Sequence, residues 1–343
     1  MLLKIVLQIY YIAINLANIT FSTSNIILIV VGFMPRNKKN FPIDDIKLTS
    51  LYEDIPSNYN YLPLNSTKIQ AVYGSSLLLP PLNSDRPLIV SSFVESIDGK
   101  ITYKNSNGGT LIANSNFKDK KGGLADFWLM NMLRAVSDAV IIGSSMLHEC
   151  IDSVAHIYDN DLEKDRLINN KPAMPMNILP TLTGHSIDYN NKIFQQEDLS
   201  LLIVSTKQGI KHVKKHLLCP YIEIIADDLH HLNYTVTNTI GKVLIVGVGE
   251  KLIDNHLFLK ILKKMGINLI SVEASYYFHN LLQDKLVDEI FLNYSGIYLG
   301  GEHISIAEKA KGFSVDNHPH CRILSLKMHS PYFIYTRQKF EYN

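Results

Sequence analysis

Short apolar runs of strand length alternate with longer amphipathic stretches from Pro87 almost to the end of the chain. This alternation is typical of an α/β protein, in which helices cover a mostly parallel sheet. Seven runs are predicted strands: Leu88 to Phe93, Ala139 to Ile142, Leu201 to Val204, Ile222 to Ala226, Val243 to Val248, Leu269 to Glu273 and Glu289 to Asn293. Three stretches are predicted helices: Phe127 to Ala135, Leu257 to Met265 and Tyr276 to Gln283. Two apolar runs between Cys321 and Phe340 predict a C-terminal antiparallel hairpin.

Composition argues against nucleic-acid binding and against a fold held by disulfides. The chain has 343 residues, 46% of them hydrophobic, which is enough for a substantial core. Lys and Arg number 33 against 32 Asp and Glu, so we expect no nucleic-acid partner. The three cysteines, Cys150, Cys219 and Cys321, lie far apart, which argues against a disulfide framework or a CxxC site. We therefore expect a cytoplasmic protein.

The first 33 residues form an apolar segment with no charged residue between Ile5 and Phe33. The segment is long enough to cross a hydrocarbon layer of ~30 Å, but polar residues divide it into two shorter apolar runs. Three interpretations stay open: upstream sequence translated before a true start at Met34, a membrane anchor, or a secretory signal. The misassigned start is favoured, and membrane attachment is not expected.

Residues 34–85 are rich in Pro, Asn, Ser and Asp and show little periodicity. This composition predicts an irregular arm with at most one short helix, which wraps the following domain. The predicted organisation is an apolar segment at 1–33, an arm at 34–85 and a domain at 86–343.

The segment from Ser96 to Lys100 places Asp98 and Lys100 where the first domain strand should end. Ligands of open α/β sheets bind at the carboxyl ends of strands, so these side chains are candidate site residues. The Asp-Gly pair at 98 and 99 also forms tight turns, and taken alone the segment is explained by a turn.

Two other strand ends carry small residues that suit a phosphate. Gly143 and Ser144 follow one strand, and Ala274 and Ser275 follow another and precede a helix that begins at Tyr276. Backbone amides at such turns, and the positive end of a helix dipole, bind phosphates. An ordinary strand-to-helix connection with a serine N-cap remains the alternative for each. The glycines at 247 and 249 do not complete a GxGxxG pattern, and we interpret them as a turn.

In their order and spacing these segments resemble one family, the reductase domain of the bacterial bifunctional riboflavin-biosynthesis deaminase-reductase, in a stand-alone form. The resemblance spans roughly Arg86 to the C-terminus, and it implies a dihydrofolate-reductase-like fold. It is carried by Arg86-Pro87, Ser96 to Lys100, Leu133 to Ala135, Asp138 to Gly143, Val272 to Ala274 and Leu286 to Glu289.

The resemblance implies that NADPH reduces 5-amino-6-(5-phosphoribosylamino)uracil, or its 2,5-diaminopyrimidinone counterpart, to the ribitylamino product. Hydride would go to the sugar C1′ of the open imine form. The family's pattern implies catalytic roles for Lys100 and Glu273 and substrate contacts for Asp98 and Arg134. It implies a homodimer, and NADPH binding by Gly143, Ser144, Ala274, Ser275 and Tyr276.

Three departures from the family pattern fall in the implied site. Ser275 and Tyr276 stand where the family usually has glycine and proline, and Met146 stands near a usual threonine. The substrate loop of the family is not recognisable between Glu149 and Ile157. These departures keep two alternatives open: a reductase of the same fold that acts on another pterin-like substrate, and a nucleotide-binding member that has lost catalysis.

The deaminase half of the bifunctional enzyme has no counterpart in this sequence. Its zinc signature, H-x-E followed by P-C-x-x-C, does not occur. The histidines lack a set of partner ligands at metal-binding spacing, so no metal is predicted.

Overall fold

The computed structural model describes residues 36–104, 111–149, 154–229, 232–308 and 310–342. The chain divides into two compact units, Met1–Asn37 and Lys38–Asn343, and the second holds every element described below. The predictions for the first 33 residues lie outside the described residues. Within the described part of the chain, no helix is both long and apolar enough to cross a membrane.

One sheet of eleven strands organises the second unit, in the spatial order β1-β10-β11-β9-β2-β8-β3-β4-β5-β7-β6. The strands are β1 Thr49–Glu53, β2 Leu88–Ser96, β3 Ala139–Ile141, β4 Met176–Pro180, β5 Leu201–Ser205, β6 Tyr221–Ile224, β7 Val243–Gly247, β8 Leu269–Val272, β9 Glu289–Ser295, β10 His320–Ser330 and β11 Phe333–Glu341. Neighbouring strands from β9 to β6 run parallel, and β9, β11, β10 and β1 pair in antiparallel fashion. The predicted mixed, mostly parallel sheet with a C-terminal hairpin is confirmed.

Helices cover the sheet on both faces. They are α1 Ile43–Ile46, α2 Thr67–Tyr73, α3 Leu111–Asn114, α4 Lys120–Val136, α5 Met146–Glu149, α6 Asn160–Ile168, α7 Gly209–His216, α8 Asn255–Lys264 and α9 Ser275–Gln283. Leu88 and Val90 of β2 face α4, whereas Ile89 faces the opposite side, where α8 and α9 pack. This alternation follows from the two-residue period of a strand, and it gives the sheet two buried faces.

All seven predicted strands are present, but two strands were missed. β4 contains the buried polar residue Asn177, which interrupts the apolar run that marks a strand. β1 is an edge strand whose five residues are all exposed, so its sequence carries no alternating pattern. Its place is set by pairing with β10, more than 270 residues further along the chain.

Residues 34–85 are more regular than the sequence predicts. They contain the helices α1 and α2 and the strand β1 instead of one short helix. Phe41, Ile46, Ile69 and Val72 are almost completely buried in the same core as α4. The surrounding prolines interrupt the apolar periodicity of these residues, so the sequence does not predict the two helices. Burial against the sheet stabilises these short helices, which local propensity alone would not do.

Candidate active site

Arg134 and Glu273 form the central ion pair of the site. Arg134 lies in the last turn of α4, whose first turn is capped by Asp119, and Glu273 directly follows β8. Arg134 Nε and Nη2 donate to the two carboxylate oxygens of Glu273 over 2.6 and 2.7 Å. The side chains are only 6% and 13% exposed. Burial alone would lower the pKa of Arg134, but the attraction of Glu273 outweighs it and the pKa is raised.

The remaining contacts of Arg134 fix the orientation of this pair. Arg134 Nη1 donates to the carbonyl oxygen of His156 over 2.8 Å. A guanidinium held in this way presents its donors in a fixed geometry, which defines the direction of the Glu273 carboxylate. The family pattern implies a catalytic role for Glu273 and a substrate contact for Arg134, and the structure brings these two side chains into direct contact with each other.

The five residues predicted to bind cofactor line one cavity of about 430 Å³. Gly143 and Ala274 lie together because β3 and β8 are parallel neighbours, with Ile141 beside Val272. A methyl group built on Gly143 would lie 3.7 Å from the Ala274 Cβ. Ser144, Ser275 and Tyr276 also line this cavity.

Helix α9 begins at the cavity with an uncapped N-terminus. Its N-cap position is Ala274, no side chain caps the helix, and its first turn has no acidic residue. The amides of such a turn point outward with the positive end of the helix dipole, which is the local environment that a diphosphate requires. Tyr276 is 55% exposed and forms part of the cavity wall.

Other residues of the cavity wall were not predicted from the sequence. Thr181 comes from the end of β4, and Asn255 starts α8. Asn255 Oδ1 accepts a hydrogen bond from the Tyr277 hydroxyl, and its Nδ2 donates to Asp284. The spatial order of the strands places these side chains at the cavity, and the sequence does not predict that order. The only available signal was the position of Asn255 just before a predicted helix, because the strand before Thr181 was itself missed.

Asp98 stabilises a turn beyond β2. It accepts hydrogen bonds from the Ser96 hydroxyl and from the backbone N–H groups of Leu299 and Gly300. The Ser96 bond first, and then these backbone donors, lower the pKa of Asp98 to about 2. Gly99 in the same turn has φ +77°, which favours glycine. The structure thus explains the Ser-x-Asp-Gly part of the motif as a turn that anchors the loop at residues 299–300.

Lys100 follows this turn and is half-buried. Its backbone oxygen accepts from the Ser96 N–H, which places it beside the carboxyl end of β2. Within the described ranges its ammonium has no hydrogen-bond or ion-pair partner. A cation in this position suits an anionic ligand group, so the predicted role of Lys100 stays a prediction that the geometry allows.

Asp138 and Asp288 also belong to the motifs that carried the family resemblance. Asp138 accepts from the backbone N–H groups of Asn268 and Leu269 and binds Lys171, which ties β3 to β8. Asp288 binds Arg86 through two hydrogen bonds of 2.8 Å. Both carboxylates therefore fix the start of a central strand and lie outside the site. The described residues contain no group of three or more His, Cys, Asp or Glu side chains suited to a metal ion.

The parallel core, the flanking helices and the terminal hairpin define a dihydrofolate-reductase-like α/β domain with its candidate site at the carboxyl ends of β2, β8 and β3. The family model described as the RibD C-terminal domain matches residues 87–331. The chain therefore belongs to the RibD C-terminal-domain family, the reductase-type domain of riboflavin biosynthesis. The predicted fold class and family are confirmed.

Several solved structures match this chain, and the first of them has the same fold. A pyrimidine reductase-like protein from Corynebacterium diphtheriae matches with a TM-score of 0.55 and 16% identity, over 80% of this chain and 98% of that chain. Acinetobacter baumannii RibD matches with a TM-score of 0.48 and 16% identity, over 75% of this chain and 58% of that chain. A Thermotoga maritima deaminase/reductase matches with a TM-score of 0.48 and 14% identity, over 80% of this chain and 59% of that chain. No curated protein sequence matches this chain.

Proposed function

We propose that this chain is an NADPH-dependent reductase of riboflavin biosynthesis, which acts on 5-amino-6-(5-phosphoribosylamino)uracil or its diaminopyrimidinone counterpart. The observation that carries the proposal is the cavity at the start of α9, whose wall includes Ala274, the residue directly after Glu273 of the Arg134–Glu273 pair. Family membership supports a reductase of this pathway. The C. diphtheriae structure, which is called pyrimidine reductase-like, has the same fold.

The residues around the cavity fit a nicotinamide dinucleotide. Gly143, Ala274 and Ser275 leave space for a diphosphate, and the first turn of α9 supplies amide donors. When bound, NADPH would supply a hydride to the C1′ of the open imine sugar. A cavity of about 430 Å³ that includes the first turn of α9 supports a member that still binds a dinucleotide.

The Glu273 carboxylate, held in place by Arg134, is the group that orients the substrate. It lies one residue before the cavity turn, so it can accept hydrogen bonds from ring N–H or amino groups of a pyrimidine beside the cofactor. Arg134 acts through Glu273, because its donors already hold that carboxylate and the carbonyl oxygen of His156. Lys100 binds the anionic phosphate end of the substrate. We retain the homodimer as part of the proposal.

The test is oxidation of NADPH by the full chain with two alternative substrates. The proposal predicts oxidation that depends on the pyrimidine ribosyl phosphate and yields the ribitylamino product. Dihydrofolate should not be reduced at a comparable rate. Reduction of dihydrofolate alone would replace this proposal with a same-fold reductase of a pterin-like substrate.

A further inference from the structure

Arg166 of α6 is a charged residue inside the protein core. Its side chain is completely buried, and within the described ranges no carboxylate forms an ion pair with it. Burial lowers the pKa of Arg166 to about 10, although the charges of Asp138 and Glu163 oppose the shift. The guanidinium therefore stays protonated near neutral pH. A buried cation of this kind is uncommon, because all of its hydrogen bonds must go to neutral acceptors.

The acceptors of Arg166 lie mainly at the end of helix α4. Its Nη1 donates to the carbonyl oxygens of Ala135 and Ser137 over 2.7 and 2.6 Å, and the carbonyl oxygen of Arg134 lies 3.4 Å away. Its Nε donates to the carbonyl oxygen of Pro172 over 2.7 Å. The last carbonyl groups of a helix lack partners within the helix and carry the negative end of its dipole. A cation is therefore the group that matches this end of α4.

Arg134 makes a contact of the same kind in the opposite direction. Its Nη1 donates to the carbonyl oxygen of His156, which lies in the segment that leads into α6. Arg166 thus binds the backbone of the turn that carries Arg134, and Arg134 binds the backbone of the segment before α6. The other donors of Arg134 hold the Glu273 carboxylate. Two guanidinium groups therefore join α4 to the α6 segment, directly behind the carboxylate of the proposed site.

One donor of Arg166 argues against a purely stabilising role. In the part of the chain that the structure describes, its Nη2 is buried and has no hydrogen-bond partner. A buried donor without a partner lowers stability, and an apolar side chain of similar volume often stabilises a core better than a buried charge does. A guanidinium supplies what an apolar side chain lacks, a rigid set of donors that binds two carbonyl oxygens at once. The geometry that Arg166 imposes on α4 therefore explains its presence better than stability does.

We propose that Arg166 is a positioning residue of the reductase site. It holds the last turn of α4 in place, so that the Arg134 guanidinium keeps the Glu273 carboxylate in its substrate-binding direction. This inference rests on the proposed function, in which Glu273 orients the substrate. Because Arg166 is completely buried, it acts through Arg134 and not by contact with the substrate. The sequence-based prediction did not include this residue.

The first test measures the geometry of the site without the reaction. The Arg134 Nε–H group, which donates to Glu273, is observed by NMR in the full chain made with isotope-labelled arginine. Its signal is assigned by its loss in Arg134→Lys. Arg166→Lys keeps the charge, but one ammonium group does not reproduce the arrangement of the guanidinium donors. The exchange of the Arg134 Nε–H proton with water should therefore become at least about tenfold faster in Arg166→Lys.

The matched control for this test is Arg337→Lys. Arg337 is also a buried arginine, only 2% exposed, but it binds Glu289 and the carbonyl oxygen of Leu78. Its replacement should also lower the stability of the protein, which the unfolding transition of each variant measures. The exchange of the Arg134 Nε–H proton should nevertheless stay unchanged in Arg337→Lys.

The second test compares kcat with KM in the same variants. A misplacement of ~1 Å at an active site can lower the rate about a hundredfold, so Arg166→Lys should lower kcat for the pyrimidine ribosyl phosphate at least about tenfold. The KM for NADPH should stay about the same, because the described wall of the cofactor cavity contains no residue of α4 or α6. Arg337→Lys should keep the kcat of the unmodified protein.

A third measurement needs no variant at Arg166, so it decides the case even if Arg166→Lys does not fold. In the unmodified protein the Arg166 Nε–H group donates to the carbonyl oxygen of Pro172, and its proton is also observed by NMR. Loss of the Arg166 contacts should release Arg134. The Arg134 Nε–H proton should therefore exchange at least as fast as that of Arg166.

Three results would overturn the inference. The first is an exchange rate at Arg134 that Arg166→Lys leaves unchanged. The second is an Arg134 proton that exchanges at least about tenfold more slowly than that of Arg166 in the unmodified protein. The third is an equal loss of kcat in Arg166→Lys and Arg337→Lys, because a general loss of packing would then explain both. A chain that shows the expected exchange but does not oxidise NADPH contradicts only the proposed reaction.

Discussion

Arg134 and Glu273 connect the end of helix α4 to the end of strand β8 through two parallel hydrogen bonds of 2.6 and 2.7 Å. The residues are 139 positions apart in the sequence, so the contact exists only in the folded chain. Because β8 lies next to β3, the same strand end also brings Ala274 beside Gly143. One ion pair thus fixes the carboxylate of the residue that directly precedes Ala274 in the wall of the proposed cofactor cavity.

Replacing Arg134 by methionine should destabilise the protein strongly. The change leaves the Glu273 carboxylate unpaired in a site where it is mostly buried, and removal of one partner of such a pair costs about 3 kcal/mol. Urea-induced unfolding measures the change in the free energy of unfolding. The matched control is Lys121→Met, because Lys121 lies on the same helix as Arg134 and forms an exposed ion pair with Asp45 of α1. Loss of this exposed pair should lower the free energy of unfolding much less. Equal losses in the two variants would contradict a special role for the buried pair.

Replacing Ser275 by aspartate should separate cofactor binding from stability. A carboxylate in the first turn of α9 interacts favourably with the helix dipole and should raise the free energy of unfolding by ~0.3–1 kcal/mol. The same charge repels a diphosphate, so the affinity for NADPH should fall at least about tenfold, or ~1.4 kcal/mol. Ser275→Asn is the uncharged control, and it should keep most of the affinity. If Ser275→Asp binds NADPH as tightly as the unmodified protein does, the diphosphate does not lie at this helix.

Replacing Asp98 by asparagine should destabilise the protein in a pH-dependent way. The folded-state pKa of Asp98 is about 2, below the ordinary value of 3.8, so the carboxylate stabilises the fold above pH ~4. That contribution is lost as the pH falls from about 4 towards 2. The difference in melting temperature between the variant and the unmodified protein should therefore shrink over this range. The exposed Asp85 supplies the control Asp85→Asn, for which we expect no such trend.

Replacing Glu95 by glutamine should stabilise the protein at alkaline pH. Burial first, and then the Asp98 carboxylate, raise the pKa of Glu95 from 4.5 to about 7. The folded state therefore holds the proton more tightly, and stability falls as the pH rises from about 4.5 through 7. Glu95→Gln removes this loss, so its free energy of unfolding should exceed that of the unmodified protein at about pH 8 by on the order of 2 kcal/mol. A gain that is the same at about pH 4 would show that ionisation is not the cause.

The sequence predicted the elements that depend on local patterns. The strand that ends at Ile141 and the one that ends at Val272 both appear as apolar runs followed by small residues, and this located Gly143 and Ala274. The sequence did not predict contacts that depend on the order of strands in the sheet. The hydrogen bond between Asn293 and Asp126 was not predicted, because the two residues are 167 positions apart in the sequence.

The role of Arg134 was the least predictable part of the site. The family resemblance implied a substrate contact for Arg134, which stays a prediction, and the structure adds a buried internal partner, the Glu273 carboxylate. In the folded chain, the last turn of α4 lies next to the end of β8, and only this proximity shows that the partner is Glu273.

The most direct test of the central claim is a titration of the full chain with NADPH, in which binding is monitored by nicotinamide fluorescence. The same titration with NADH is the comparison. The account predicts saturable binding that favours NADPH and is weakened by Ser275→Asp. Absence of binding at millimolar NADPH would contradict it, because the cavity between Gly143 and the first turn of α9 would then not hold the cofactor.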